Sequence, residues 1–117
     1  MLAPDTLRPH ITAMAISDNL EKLLQSGQDN ALLRFGLGNA YLQEKDPEKA
    51  VEHLRIALQH NPDYSAAWKI YGKALAAAGR TKEAVAAYDE GIRRAEKKGD
   101  IQAAKEMNVF RKRLIGT

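Results

Sequence analysis

Arg34-Phe35-Gly36-Leu37-Gly38-Asn39-Ala40-Tyr41 and, 34 positions further on, Trp68-Lys69-Ile70-Tyr71-Gly72-Lys73-Ala74-Leu75 are the stretch that decides the fold. Each is followed by a second pair of small residues, Ala50-Val51 and Ala84-Val85. Sliding residues 31–62 onto 65–96 gives four identities: Gly38 with Gly72, Ala40 with Ala74, Ala50 with Ala84 and Val51 with Val85. Four is few, but all fall at corresponding places in two successive blocks. A fixed period of this length marks a chain built from stacked supersecondary units. The glycines read as points of close helix approach, where a side chain would wedge the pair apart. Ala50 and Ala84 read as the small residues facing them, with Tyr41, Leu54, Trp68 and Tyr88 filling the space around the contact.

The punctuation around these blocks predicts six helices with short turns. Asp18 reads as an N-cap with Glu21 as its capping-box partner, and Gly27 as the stop. Asp29 reads as the cap of a helix carrying Leu32, Leu33, Leu37, Ala40 and Tyr41 at helical spacing. Asp46-Pro47 opens the third helix with proline in the first turn. Asn61-Pro62 closes it, since a residue before proline avoids the α region. Asp63 and Thr81 are expected to open the fourth and fifth helices, and Asp100 a sixth that ends near Gly116. No segment alternates as a half-buried strand does. Short turns between helices predict antiparallel neighbours.

These residues resemble the tetratricopeptide repeat, a 34-residue helix–turn–helix written W-x2-L-G-x2-Y, then A-x3-F, then P. The first block reads Arg34, Leu37, Gly38, Tyr41, Ala50, Leu54, Pro62, with Arg34 and Leu54 departing from the pattern. The second reads Trp68, Tyr71, Gly72, Leu75, Ala84, Tyr88, Glu96; Tyr71, Leu75 and Tyr88 are apolar substitutes and Glu96 replaces the proline. The resemblance implies an all-α, right-handed α-α superhelix of antiparallel helix pairs. The expected layout is a flexible segment over 1–16 and one domain over 17–117, with repeats at 31–64 and 65–98, a capping helix at 100–115 and the early helix closing the other end.

The chain has 117 residues, enough for one domain and one core, with 44% hydrophobic and 28% charged residues, a globular balance. It has no cysteine, which excludes disulfides, thiolate metal sites and a cysteine nucleophile. No apolar run of signal-peptide or membrane-span length occurs, so a cytoplasmic protein is expected. The 18 basic and 15 acidic residues leave a net charge of +3. From Asp89 onward there are eight basic and five acidic residues, whereas residues 1–88 hold ten of each, so the excess lies at the C-terminal end.

A search for chemistry returns little. His53 and His60 lie seven apart and His10 stands alone, without the paired spacing a metal site needs, and the bland reading is solvated or rim histidines. Gly36-Leu37-Gly38 begins like a dinucleotide loop, but Tyr41 stands where the third glycine belongs and no strand precedes it. No phosphate loop or nucleophile elbow is present, and several serines and threonines read as caps. No catalytic, metal or cofactor-binding residue is therefore assigned, and the chain is expected not to be an enzyme.

The resemblance implies that the first helix of each repeat lines a concave groove in which peptides usually bind. Its positions here are Leu32, Phe35, Asn39 and Gln43, then Ala66, Lys69, Lys73 and Ala77, then Ala103, Met107, Phe110 and Arg111. The carboxylate-gripping subgroup of the family is not implied: Asn39 matches its pattern, but Phe35, Ile70, Asp100 and Ala104 replace the other four residues. Lys69 and Lys73 share a helix face, and Phe35, Met107 and Phe110 offer apolar anchors, so a partner segment carrying acidic and apolar residues is expected; the bland alternative has the lysines solvated and the apolar side chains packed between helices. Two other readings stand beside it: RNA or an acidic partner on the cluster Arg93, Arg94, Lys97, Lys98, and self-assembly through exposed repeat ends, with a monomer favoured.

Overall fold

The computed structural model describes residues 15–116 and folds them into six α-helices with no strand among them. These are α1 (Ile16–Gln25), α2 (Ala31–Gln43), α3 (Pro47–His60), α4 (Ser65–Ala77), α5 (Thr81–Lys97) and α6 (Ile101–Ile115). The all-α solenoid that the resemblance implied is the fold observed. Up to Met14 the expected flexible segment lies outside the described residues, as does His10; Ile16 is already the first residue of α1.

The caps are partly those expected. Asp46 accepts from Lys49 N at 3.3 Å with Pro47 following, and Asp100 accepts from Ala103 N at 3.3 Å. Four positions differ. α1 begins two residues before Asp18, so Asp18 occupies the third helical position and its carboxylate accepts from Ala15 N at 3.1 Å, while Glu21 faces the next helices. Asn30, not Asp29, caps α2, accepting from Leu33 N at 2.8 Å. Tyr64 and Arg80 hold the N-cap positions of α4 and α5, leaving Asp63 and Thr81 without that role. Of the displaced residues, Asp29 takes Arg34 and Asp63 takes Arg94, while Ala15, Tyr64 and Arg80 cap through no side-chain hydrogen bond.

Three of the connections turn through a left-handed glycine, at Gly27, Gly79 and Gly99. The α2–α3 connection does the same with Lys45, at φ 65°, where Gly79 stands one repeat later. Both positions close the same loop: Asp46 N donates to Tyr41 O at 2.9 Å, and Arg80 N to Leu75 O at 2.9 Å. A side chain in this conformation costs roughly 1–2 kcal/mol. Lys45→Gly is therefore expected to raise stability by about 1 kcal/mol, because the folded-state strain relieved exceeds the added unfolded-state entropy. A urea-denaturation midpoint that falls would refute this account of the turn.

Packing follows the small residues, with a correction to which residue meets which. A Cβ on Gly38 would lie 2.3 Å from Leu54 Cγ, and one on Gly72 2.3 Å from Tyr88 Cε1. The glycines thus receive the bulky residue of the facing helix rather than Ala50 or Ala84, both of which are fully buried in the same layer. Gly91, which the sequence reading did not single out, makes a third close approach: its Cβ would meet Met107 Sδ at 2.6 Å and Trp68 Cβ at 2.7 Å. It stands 34 residues after Ala57, which is also fully buried. Trp68 packs against all three buried clusters of the stack.

Candidate functional site

The helices form two layers. α2, α4 and α6 touch one another in succession, whereas α3 and α5 make no mutual contact among the described residues. A stack whose first-of-pair helices are close and whose second-of-pair helices are splayed is curved, with α2, α4 and α6 on the inner side.

The residues assigned to that inner face divide. Leu32 and Gln43 are exposed, Asn39 and Ala66 half-buried, Ala77 exposed and Ala103 half-buried. Phe35 is half-buried against Tyr64, with ring centroids 5.0 Å apart. Lys69 is tied to Glu106 across the α4–α6 seam at 2.9 Å, and that ammonium holds the Glu106 carboxyl below the usual glutamate range. Lys73 does not share its fate: its Nζ lies 5.0 Å from the Phe110 ring centroid, and the Arg113 guanidinium lies 5.7 Å from the same ring. Phe110 is half-buried against Tyr88, at 6.1 Å. Two cations thus flank one aromatic, an arrangement that can take a carboxylate beside an apolar side chain.

Two of the assigned residues point elsewhere. Met107 is fully buried between α5 and α6, under Gly91. Arg111 Nε pairs with Asp89 on α5 at 2.5 Å. α6 starts 36 residues after α4, not 34, because α5 is three residues longer than α3 and the turn after it is one residue shorter. That offset turns Met107 and Arg111 toward α5. The same offset brings Arg113 to the place of Ala77, which the 34-residue register had given to Arg111.

A polar network at the first two repeat helices was also missed. Arg34 donates from Nε and Nη2 to the two Asp29 oxygens at 2.8 and 2.9 Å, and its Nη1 lies 3.0 Å from His53 Nδ1. Asp29 also meets His60 Nε2 at 3.2 Å. Tyr41 donates to Glu21 at 2.5 Å and stacks on His53 at 5.4 Å, and Ser17 donates to Glu44 at 2.7 Å. Neither His53 nor His60 is therefore simply solvated. The hydrogen bond from Tyr41 to Glu21 pushes its phenol up to about 12, and burial pulls the His53 imidazole down. Arg34 holds the Asp29 carboxyl down at about 2. A folded value below the ordinary 3.8 means that the pair stabilises the fold above pH 4 and that this contribution disappears as pH falls toward 2. A carboxyl-carbon NMR titration is expected to find the Asp29 midpoint near 2, and to find it raised toward the ordinary aspartate value in Arg34→Met, where His60 alone still holds it down. Identical midpoints in the two proteins would dissolve the pair. Among the described residues no group of three or more His, Asp and Glu side chains is placed to hold a metal ion, and no helix is long and apolar enough to cross a membrane.

The basic cluster near the end of α5 is largely engaged. Arg93 and Arg94 both pair with Glu90, Arg94 also with Asp63 at 3.0 Å, and Lys98 donates to the Asp63 carbonyl at 2.7 Å.

Comparison with known proteins agrees with this architecture. The tetratricopeptide repeat profile matches residues 18–59 and 35–100. The chain belongs to the tetratricopeptide repeat family. A TPR repeat-containing protein of Pseudomonas aeruginosa is 50% identical over 97 residues, spanning 83% of this chain and 92% of that protein. The solution structure of a Bordetella parapertussis protein superposes with a TM-score of 0.77 at 44% identity, covering 86% of this chain and 88% of the other. A tetratricopeptide repeat domain protein from Salinibacter ruber superposes at 0.68 with 22% identity, covering 76% and 89%, a likeness of fold. Within the tetratricopeptide pattern, Trp68 fills the signature tryptophan position and donates its indole N–H to the Pro62 carbonyl at 2.7 Å. Arg34 fills the same position one repeat earlier and supports the ion network instead. Modules of this family generally serve protein–protein interaction.

Proposed function

We propose that this tetratricopeptide chain is a cytoplasmic, non-catalytic scaffold or adaptor module that holds a segment of a partner protein along the inner face of α2, α4 and α6. The observation that supports this reading most is the Lys73–Phe110–Arg113 group. Both cations lie within 6 Å of one half-buried ring. Neither is in an ion pair among the described residues, whereas Lys69 and Arg111 have a carboxylate each. Phe35 and Asn39 continue the same face on α2, and Leu32 and Gln43 mark its exposed ends. The partner segment is accordingly acidic with apolar residues between its carboxylates. The engaged state of Arg93, Arg94 and Lys98 favours a protein partner over RNA.

The test is anisotropy of fluorescein-labelled peptides that alternate acidic and leucine residues. Lys73→Glu with Arg113→Glu is expected to weaken binding at least about tenfold, the scale of two lost surface attractions turned repulsive. Lys69→Glu is expected to act less, since the lysine is already neutralised by Glu106. Undiminished binding in the Lys73/Arg113 double variant rejects the inner-face reading.

A further inference from the structure

The two ends of the stack are unlike each other and complementary. α1 corresponds, at a shift of 34, to the second helix of a repeat: Ile16, Leu20 and Leu23 stand where Ala50, Leu54 and Ala57 stand in α3. α2 covers that face of α3, and all three α3 residues are fully buried. Among the described residues the one helix at this face of α1 is α2, where Leu20 lies against Gly36. Ile16 and Leu23 are 63% and 42% exposed, and Leu23 and the 71% exposed Leu32 line a trough of about 390 Å³ with Leu20, Leu33, Gly36, Gln28 and Asn30.

α6 is the opposite case, a first-of-pair helix with no second helix on it among the described residues. It begins 70 residues after α2, so Asn108 stands where Gly38 meets Leu54 of α3. Ile101 and Ile115 are 51% and 45% exposed. The exposed large apolar side chains of the described residues all lie at these two ends, on α1, α2 and α6. The charges are opposite as well. Residues 15–46 hold five acidic and three basic side chains, net −2, whereas α6 holds four basic and one acidic, net +3.

We propose that copies of this chain associate head to tail, α6 of one copy seating on α1 of the next so that the two complete a repeat. Contact of unlike ends is heterologous and does not close on itself unless the rotation permits. The joint is weaker than an internal one, because Asn108 occupies the place of Gly38 and keeps the helices further apart. It is also salt-dependent, since opposite net charges draw the ends together. The joint shares Leu32 with the inner face but does not depend on what that face binds.

Sedimentation and light scattering of the full chain over a rising concentration series test it. The average mass is expected to climb past that of a dimer without a plateau, and to fall when salt is added. Leu23→Gln with Leu32→Gln blocks one end, and Ile101→Gln with Ile115→Gln the other. All four side chains are exposed, and unchanged circular-dichroism melts confirm intact folding. Each double variant alone is expected to remain a monomer, and an equimolar mixture to form a one-to-one dimer and stop there through the two intact ends. A wild-type chain that stays monomeric throughout, a mixture that stays monomeric, or a wild-type dimer indifferent to the α6 variant would each overturn the proposal. So would association that appears only in Leu7→Gln with Ile11→Gln, which would assign the α1 trough to the preceding segment of the same chain.

Discussion

Gly72→Leu is expected to cost about 3 kcal/mol, at the upper end of what overpacking a close-packed site costs. Even a methyl group there would lie 2.3 Å from Tyr88 Cε1 and 2.6 Å from Cζ. Tyr88 is one of the largest fully buried side chains, rising from α5 against Gly72 of α4 and Phe110 of α6, so its ring has little room to give way. A leucine also gains about 1 kcal/mol of helix propensity over glycine, and the overlap must exceed that gain to show. Gly38→Leu is expected to cost less, because the obstacle is the Leu54 isobutyl group, which has more rotamers than a ring. Urea-denaturation midpoints measure both. Coupling to Tyr88 decides the mechanism: Gly72→Leu combined with Tyr88→Ala is expected to cost clearly less than the two losses added together. Strict additivity, or an unmoved midpoint in Gly72→Leu, would place the close approach elsewhere.

Trp68→Ala is expected to be of similar size, about 3–5 kcal/mol, the range for removing a large aromatic from a packed site. Trp68 is the one side chain shared by all three buried clusters, lies 6.0 Å from Tyr71 in an edge arrangement, and is the wall that Gly91 approaches. Its indole N–H also anchors the turn before α4 through the Pro62 carbonyl. A domain with a total stability of roughly 5–15 kcal/mol would be left marginal. Trp68→Phe keeps most of the apolar contact and loses the hydrogen bond, and is expected to cost about 1–2 kcal/mol. Equal losses in the two variants would mean that the hydrogen bond, not the packing, carries the residue's contribution.

The contrast between Trp68 and Arg34 shows where sequence reading reaches its limit. Both occupy the same place in the repeat, and the period reveals the place. It does not reveal that Arg34 forks onto Asp29 while contacting His53, because those three residues converge only when α2 and α3 fold against each other. The same holds for Glu21, which capping logic placed in a turn and which instead accepts from Tyr41 on α2. On the inner face, Lys69 and Lys73 look equivalent four residues apart, yet Glu106 neutralises one and Phe110 underlies the other.

The sequence by itself determined the helices, the 34-residue period and the small residues at the crossings, because each depends on local propensity or on spacing along one helix face. Only the tertiary structure decided which bulky residue each glycine meets, which cations remain unpaired and how α6 is turned. Those outcomes rest on contacts between helices, and two added residues of offset before α6 were enough to move Met107 into the core and Arg111 onto Asp89. A period read along the chain carries no information about such a rotation, since helix packing sets it through side-chain volume rather than order.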